Sequence, residues 1–466
     1  MLTDSISHWR HNPTVLHFFS IWRTEAGQLT KLGSPILVGQ IAQTGMGTVD
    51  TIMAGNYGAN DLAGIAIAQS IWLPVLVFFI GLFTATTTTI ARHFGGENSE
   101  GIRNTAQQSL WLAVFCAPLT VITLLNGDLI IAQLGVDPGV SAISQNYLFY
   151  LCFGLPAATL FFAMRGFTDG QGITRPIMFV SVLAFLCNMP LNYLFIFGNF
   201  GMPELGGAGC GLATAIVMWI QLICLLAIVL RHKNLKKIPL LQRFSKPHWL
   251  QQRQLLSLGL PTALTGLAEV SLFSAVALII APLGTEVLAA NQVAISISSL
   301  TYMLPLSMGI AINIRVGIRL GANDSAGARF SSLVGISAAI FVAILSLTAI
   351  ILGRSYIAAL YSNDPAVILG ASSLLIFAAI YQIPDALQIS VMGALRAYRD
   401  TRIPLILVLI AYWVISVPLG WCLTRGAAGF SPIGAEGMWV GLVCGLTCAA
   451  IMQSLRFRRV LRLKRE

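Results

Sequence analysis

Long apolar runs alternate with short polar connections from one end of the chain to the other. Most runs reach about 20 residues, the length an α-helix needs to cross a hydrocarbon layer ~30 Å thick. Taken in order they predict helices at about residues 29–55, 64–91, 105–125, 142–163, 177–198, 208–230, 257–282, 288–314, 331–353, 366–391, 405–423 and 434–454. Strand-like alternation over ~10-residue stretches, the signature of a membrane barrel, does not occur. The expectation is an all-α polytopic membrane protein with twelve transmembrane helices, because a helix satisfies its own backbone polar groups in lipid.

The pattern repeats. An offset of 226 residues carries Leu32-Gly33-x-Pro35 onto Leu258-Gly259-x-Pro261, and Ala42, Gly58, Leu62, Ala63, Ser70 and Ile71 onto identical residues. The loop Gly95–Gly101 falls on Gly321–Gly327, and Met164-Arg165-Gly166-Phe167-Thr168-Asp169 resembles Leu395-Arg396-Ala397-Tyr398-Arg399-Asp400. Six spans per half give both halves the same orientation, with the pseudo-axis along the membrane normal. The division expected is an N-terminal arm (1–28), a first lobe (29–230), a basic linker (231–256), a second lobe (257–454) and a basic tail (455–466). Two related lobes around a central site are the usual machinery of alternating access.

Composition agrees with lipid as the solvent, since 56% of residues are hydrophobic and only 10% charged. The net charge of +10 would suit a nucleic-acid binder, but its distribution excludes that reading. With both termini inside, every Lys and Arg except Arg354 and Arg425 falls in or within a turn of the arm, the inner loops or the tail. This positive-inside bias predicts a cytoplasmic arm, central loop (Arg231, Lys233, Lys236, Lys237, Arg243, Lys246, Arg253) and tail (Arg456, Arg458, Arg459, Arg462, Lys464, Arg465). The arm holds His8, Arg10, Pro13 and Arg23 with no small-residue cleavage site, so it is not read as a signal peptide. The eight cysteines, none in a Cys-x-x-Cys pair, read as small apolar filler.

Of 18 acidic residues, three lie deep in apolar spans: Asp50, Glu269 and Asp385. No Lys or Arg lies at comparable depth, and a buried carboxylate without a cation is a functional-site hypothesis by default. Gln43, Gly47 and Asp50 share one helix face. Asn188 and Asn192 stack one turn apart beside Pro190, suited either to orienting a carboxylate and an ion or to ordinary interhelical hydrogen bonding. The second half keeps the proline (Pro418) but not the amides. Tyr381 and Asp385 are one turn apart, and Pro384 frees a carbonyl at the same depth. With Glu269 they offer hard oxygen ligands to Na+, Tyr381 being read as ligand or as packing residue. The same acids, with Met46, Phe273, Tyr302, Met303 and Met308 as soft walls, suit a lipophilic cation.

Several segments resemble the multidrug and toxic compound extrusion (MATE) transporters, in their bacterial NorM-like branch. They are Ala42–Gly55, Arg165–Gly170, Pro190–Tyr193, Pro203–Gly211 and Ala289–Ala294 within about residues 28–455. The resemblance implies two six-helix lobes around a V-shaped central cavity in a bacterial inner membrane. It also implies export of cationic drugs and dyes in antiport with Na+ and/or H+, by a monomer that needs no cofactor. Position by position, it assigns Asp50 as the first-lobe coupling carboxylate, with Asn188 and Asn192 around it. Glu269, Tyr381 and Asp385 become the second-lobe cation site, and Gln43 and Gln292 join the cavity residues. Where Asn192 stands some relatives carry aspartate, and the amide argues against a pure proton relay there.

Two other readings fit less well. A lipid-linked sugar flippase would line its cavity with basic residues, whereas the deep charges here are acidic. An enzyme or receptor would need a catalytic constellation or a soluble domain, and neither is visible. Gly45-x-Gly47 and Gly170-x-Gly172 follow no strand and read as close helix packing.

Overall fold

The computed structural model describes residues 15–133, 135–240, 244–362, 364–426 and 431–463, with side chains described from Ser20 onward. Of the residues singled out above, His8, Arg10, Pro13, Arg243, Lys464 and Arg465 lie outside the described residues. The first half contains α1 (Val15–Tyr57), α2 (Ala59–Gly95), α3 (Ser99–Leu125), α4 (Gly127–Gln133), α5 (Pro138–Cys152), α6 (Leu155–Gly170), α7 (Arg175–Phe197) and α8 (Gly209–Arg231). The second contains α9 (Trp249–Ile280), α10 (Thr285–Gly321), α11 (Ser325–Tyr361), α12 (Pro365–Ala397), α13 (Arg402–Leu409), a π-helical segment Ile410–Ser416, α14 (Val417–Arg425) and α15 (Ala435–Leu463). No strand occurs among the described residues.

Among the described residues ten helical stretches are long and apolar enough to cross a membrane, and α5 with α6, bent by 51° at their joint, makes an eleventh when the pair is counted as one span. The remaining span is α1, 43 residues long, whose apolar character is diluted by residues such as Gln40, Gln43, Thr44 and Asp50. The bend has one local and one tertiary cause. Pro156 in the first turn of α6 cannot donate a backbone hydrogen bond. At Gly154 a Cβ atom would stand only 2.6 Å from the Cα of Ala215, so α8 presses on the joint. In the eleventh sequence span, Pro418 likewise interrupts the ladder, and the preceding turn relaxes into the π-helical form.

The repeat is visible in backbone detail. Asn98 and Asp324 cap α3 and α11 through the amides of Gly101 and Gly327. Just before each cap, Glu97 and Asn323 take left-handed conformations at φ 54 and 58. A large apolar core fills the first lobe and another the second. The basic linker is not a free strap. Leu235, Ile238 and Leu240 enter the first-lobe core, and Gln107, Gln108 and Trp111 of α3 bond to backbone groups of Leu240, Ser245, Lys246 and His248.

The lobes meet through the ends that carry the basic loops. Thr88 of α2 donates to Asn313 of α10 at 3.1 Å. At Gly95 and Gly321 the backbones of α2 and α10 approach so closely that any Cβ would collide with the Ile318 or Arg92 carbonyl. Leu29 of α1 belongs to a third core made otherwise of second-lobe residues. The described part of the arm is helical and continuous with α1, and it carries Glu25 into a cross-lobe cluster. Glu25, 5% exposed, accepts from Arg315 Nε (2.7 Å) and Nη2 (2.9 Å), Arg319 Nη2 (2.9 Å) and Ser331 Oγ (2.6 Å). Burial alone would raise its pKa, but these donors and the two guanidinium charges hold it at about 2.

Candidate functional site

The deep carboxylates lie in separate polar clusters, one in each lobe. In the first lobe Asp50 of α1 is 4% exposed. Its Oδ1 accepts a 2.6 Å bond from Asn192 Nδ2, which also reaches Asn188 Oδ1 at 3.2 Å. The one-turn spacing of the two amides on α7 thus becomes a relay of side chains ending on the acid. Thr214 of α8 donates to Asp50 Oδ2 at 3.4 Å, and Cys210 Sγ lies 3.7 Å from the Asp50 carbonyl. Neither was singled out in the sequence, where a threonine or cysteine in an apolar run carries no positional signal. Asn188 Nδ2 and Asn192 Oδ1 remain buried without a partner among the described residues, so the cluster has unused donor and acceptor capacity.

In the second lobe Asp385 of α12 is 1% exposed, and no donor meets hydrogen-bond geometry at either carboxylate oxygen among the described residues, the Tyr381 hydroxyl lying within reach of it. Tyr381, one turn earlier, is also buried. Glu269 of α9 is half-buried and accepts from Tyr302 of α10 at 3.2 Å. Tyr302 and Tyr381 both lie within electrostatic reach of Glu269 and Asp385, so the helices α9, α10 and α12 bring these four side chains to one neighbourhood. Gln388 donates to the Tyr412 hydroxyl at 2.6 Å, and Gln382 to Thr301 at 2.7 Å. These amides lie three residues before and after Asp385 on α12. An ion pair to Lys or Arg does not occur at Asp50, Glu269 or Asp385 among the described residues.

A bare carboxylate in low dielectric is unstable unless a cation or a proton completes it. Asp385, Glu269 and the Tyr381 hydroxyl are chemically suited to a hard monovalent cation, and the unpartnered oxygens of Asp385 are the feature that fits one. No group of three His, Cys, Asp or Glu with metal-holding geometry is present among the described residues.

The residues named as cavity walls are scattered in depth. Thr44 and Met303 touch across the lobes, Oγ1 to Sδ, at 3.9 Å. Gln43 and Met46 are half-buried on the same stretch of α1, and Gln292 is exposed. Phe273 packs against the second-lobe core and Met308 against the core at the lobe junction.

Comparison with known proteins agrees with this architecture. The MatE family model matches residues 35–194 and 261–422, one match per lobe, beginning at Pro35 and Pro261. The multidrug resistance protein NorM of Vibrio parahaemolyticus is 43% identical over 437 residues, 94% of this chain and 96% of the relative. NorM of Vibrio cholerae is 41% identical over 438 residues, 93% of this chain and 95% of the relative. Among solved structures, the eukaryotic MATE transporter AtDTX14 superposes with a TM-score of 0.85 at 20% identity, over 95% of this chain and 98% of that one. An outward-facing multidrug resistance MATE transporter of the MOP superfamily gives 0.85 at 21% identity, over 95% and 97%.

Proposed function

The chain belongs to the MATE family of multidrug transporters, and from that premise we propose that it exports lipophilic organic cations by antiport with Na+ or H+ across a bacterial inner membrane. It works as a transporter, not an enzyme. The placement of the basic residues in one set of loops supports cytoplasmic termini. In that orientation the lobes touch at their cytoplasmic ends, and the cleft between them faces outward. Glu25 with Arg315 and Arg319 latches the closed side.

The observation that carries the reading is Asp385, buried with both oxygens unpartnered. A Na+ ion or a proton entering from outside would complete it, with Glu269 and Tyr381 as further ligands for Na+. Asp50 with Asn188 and Asn192 offers the first lobe an equivalent coupling point. Drug and ion need only prefer opposite states of the lobes, by a few kcal/mol, for one gradient to drive the other. Gln43, Met46, Gln292, Tyr302 and Met303 are proposed to meet the drug, with Phe273 and Met308 as backing. The protein is proposed to act as a monomer.

Efflux of a fluorescent cation from proteoliposomes, with Na+ and pH gradients imposed separately, tests the scheme. Wild-type protein should respond to at least one gradient, and Asp385→Asn should lose that response while inserting normally. Gradient-driven efflux at the wild-type rate by Asp385→Asn would remove the second-lobe site from the mechanism.

A further inference from the structure

Helix α12 carries a continuous stripe: Tyr381, Asp385, Gln388, Met392 and Arg396 follow one another at three- and four-residue intervals and so share a face. The first four are buried. Unpartnered acceptors recur along the first part of the stripe, at both Asp385 oxygens and at Gln388 Oε1. A cation or a file of water released from Asp385 toward the cytoplasm would follow these groups and meet Arg396.

Arg396 is oriented against expectation. An arginine in the last turn of a cytoplasmic helix end normally extends its guanidinium toward the headgroups. Here Nη2 lies 3.4 Å from Met392 Sδ, one turn back along the helix, so the charge is folded back along the stripe and not out toward the headgroups. A thioether is a weak acceptor and neutralises nothing. The repeat supplies the contrast. Its counterpart Arg165 reaches forward to Asp169, 3.2 Å away. The residue equivalent to Asp169 is Asp400, and Arg456 of α15 takes it at 2.6 Å. No carboxylate lies within ion-pair distance of Arg396 among the described residues, while Glu269 and Tyr302 lie within its electrostatic reach.

The geometry points to Arg396 as a fixed positive plug that closes the cytoplasmic end of the α12 stripe to cations, so that an ion held at Asp385 and Glu269 leaves only when the lobes move. This rests on the proposed ion site in the second lobe. A guanidinium repels an approaching Na+ in low dielectric, and because it does not release its proton it cannot pass one on. The plug turns a polar path that would short-circuit the gradient into a closed end, which is what coupling requires.

The test is passive entry of radiolabelled Na+ into proteoliposomes without drug. Arg396→Gln should raise that entry by about tenfold or more, as loss of one excluding charge would. Arg396→Lys should remain tight, as should Arg458→Gln, which removes the same charge from an exposed site on α15. Adding Asp385→Asn to Arg396→Gln should suppress the leak. A folded Arg396→Gln protein as tight as wild type overturns the inference, and so does a leak that persists with Asp385→Asn or appears equally in Arg458→Gln. Failure of the ion-site reading would show separately, as wild-type efflux indifferent to both gradients.

Discussion

Asn192 on α7 donates a 2.6 Å hydrogen bond to the Asp50 carboxylate on α1, joining two helices 142 residues apart in sequence. The bond fixes one oxygen of Asp50 and leaves the other to the longer contact with Thr214. Replacing the amide by Asn192→Ala would leave a buried acceptor unsatisfied, destabilising the fold by about 1–3 kcal/mol. Asp50→Asn is expected to remove the titratable and cation-binding group while keeping shape. It should insert normally and lose ion-driven dye efflux in vesicles; full efflux by this variant would exclude Asp50 from coupling.

Glu25 makes a second prediction, concerning the closed cytoplasmic side. Glu25→Gln would leave Arg315 without its counter-charge and Arg319 with Asp324 alone, 2.6 Å away, and since both guanidiniums are partly exposed, water would soften the loss. The expected result is a shift toward the inward-open state. A cysteine placed at the cytoplasmic lobe junction of a cysteine-free background should be labelled several-fold faster in Glu25→Gln than in the parent. The pH dependence follows from the depressed pKa of about 2. Stabilisation from such a carboxylate is complete above its ordinary value and fades as pH falls toward the folded one. Labelling of the parent should therefore be independent of pH from about pH 5 upward with respect to this group. A parent that opens between about pH 5 and 7 would assign the latch to some other residue.

The four acids differed in how plainly they could be read. Asp50, Glu269 and Asp385 stood out because a charge in a long apolar run has no structural excuse, and the four-residue step from Asn188 to Asn192 identified a shared face. Thr214, which completes the first-lobe cluster, was not legible, since threonine is common in spans and its partner lies on another helix. Glu25 was hidden for the opposite reason. It lies ahead of the first apolar run, where an acid carries no sign of burial, and only the continuous helix from Val15 carries it to Arg315. Tyr302 was read as a cavity wall, but its hydroxyl also serves Glu269, a pairing of α9 with α10 that no local pattern encodes. Twelve spans followed from run length alone; the 51° bend between α5 and α6 depended on Gly154 meeting Ala215, a tertiary contact.

Glu269 and Tyr381 give the third prediction. If Na+ is the coupling ion, Glu269→Gln removes one anionic ligand and Tyr381→Phe one neutral ligand. Each should raise the Na+ concentration giving half-maximal efflux, by about tenfold or more for the charge and less for the hydroxyl. Efflux by Tyr381→Phe at unchanged Na+ concentrations would make that side chain a packing residue only.

The last prediction concerns Gly95 and Gly321, where α2 and α10 meet backbone to backbone at the cytoplasmic end. A methyl group at either position collides with a main-chain carbonyl of the other helix, Ile318 or Arg92, and these last-turn carbonyls, each held by a C-cap amide (Ala322 or Gly96), cannot swing aside as a side chain can. The helices must separate, and separation here opens the seal between the lobes. Gly95→Ala and Gly321→Ala should therefore favour the inward-open state, weaken the Glu25 latch and lower the rate of coupled efflux. Gly47 offers the matched comparison, because a Cβ there meets nothing within 4 Å. Gly47→Ala should match the parent in cytoplasmic labelling. Gly95→Ala should be labelled faster; equal labelling in both variants would mean that the close approach of α2 and α10 does not set the balance between the two states.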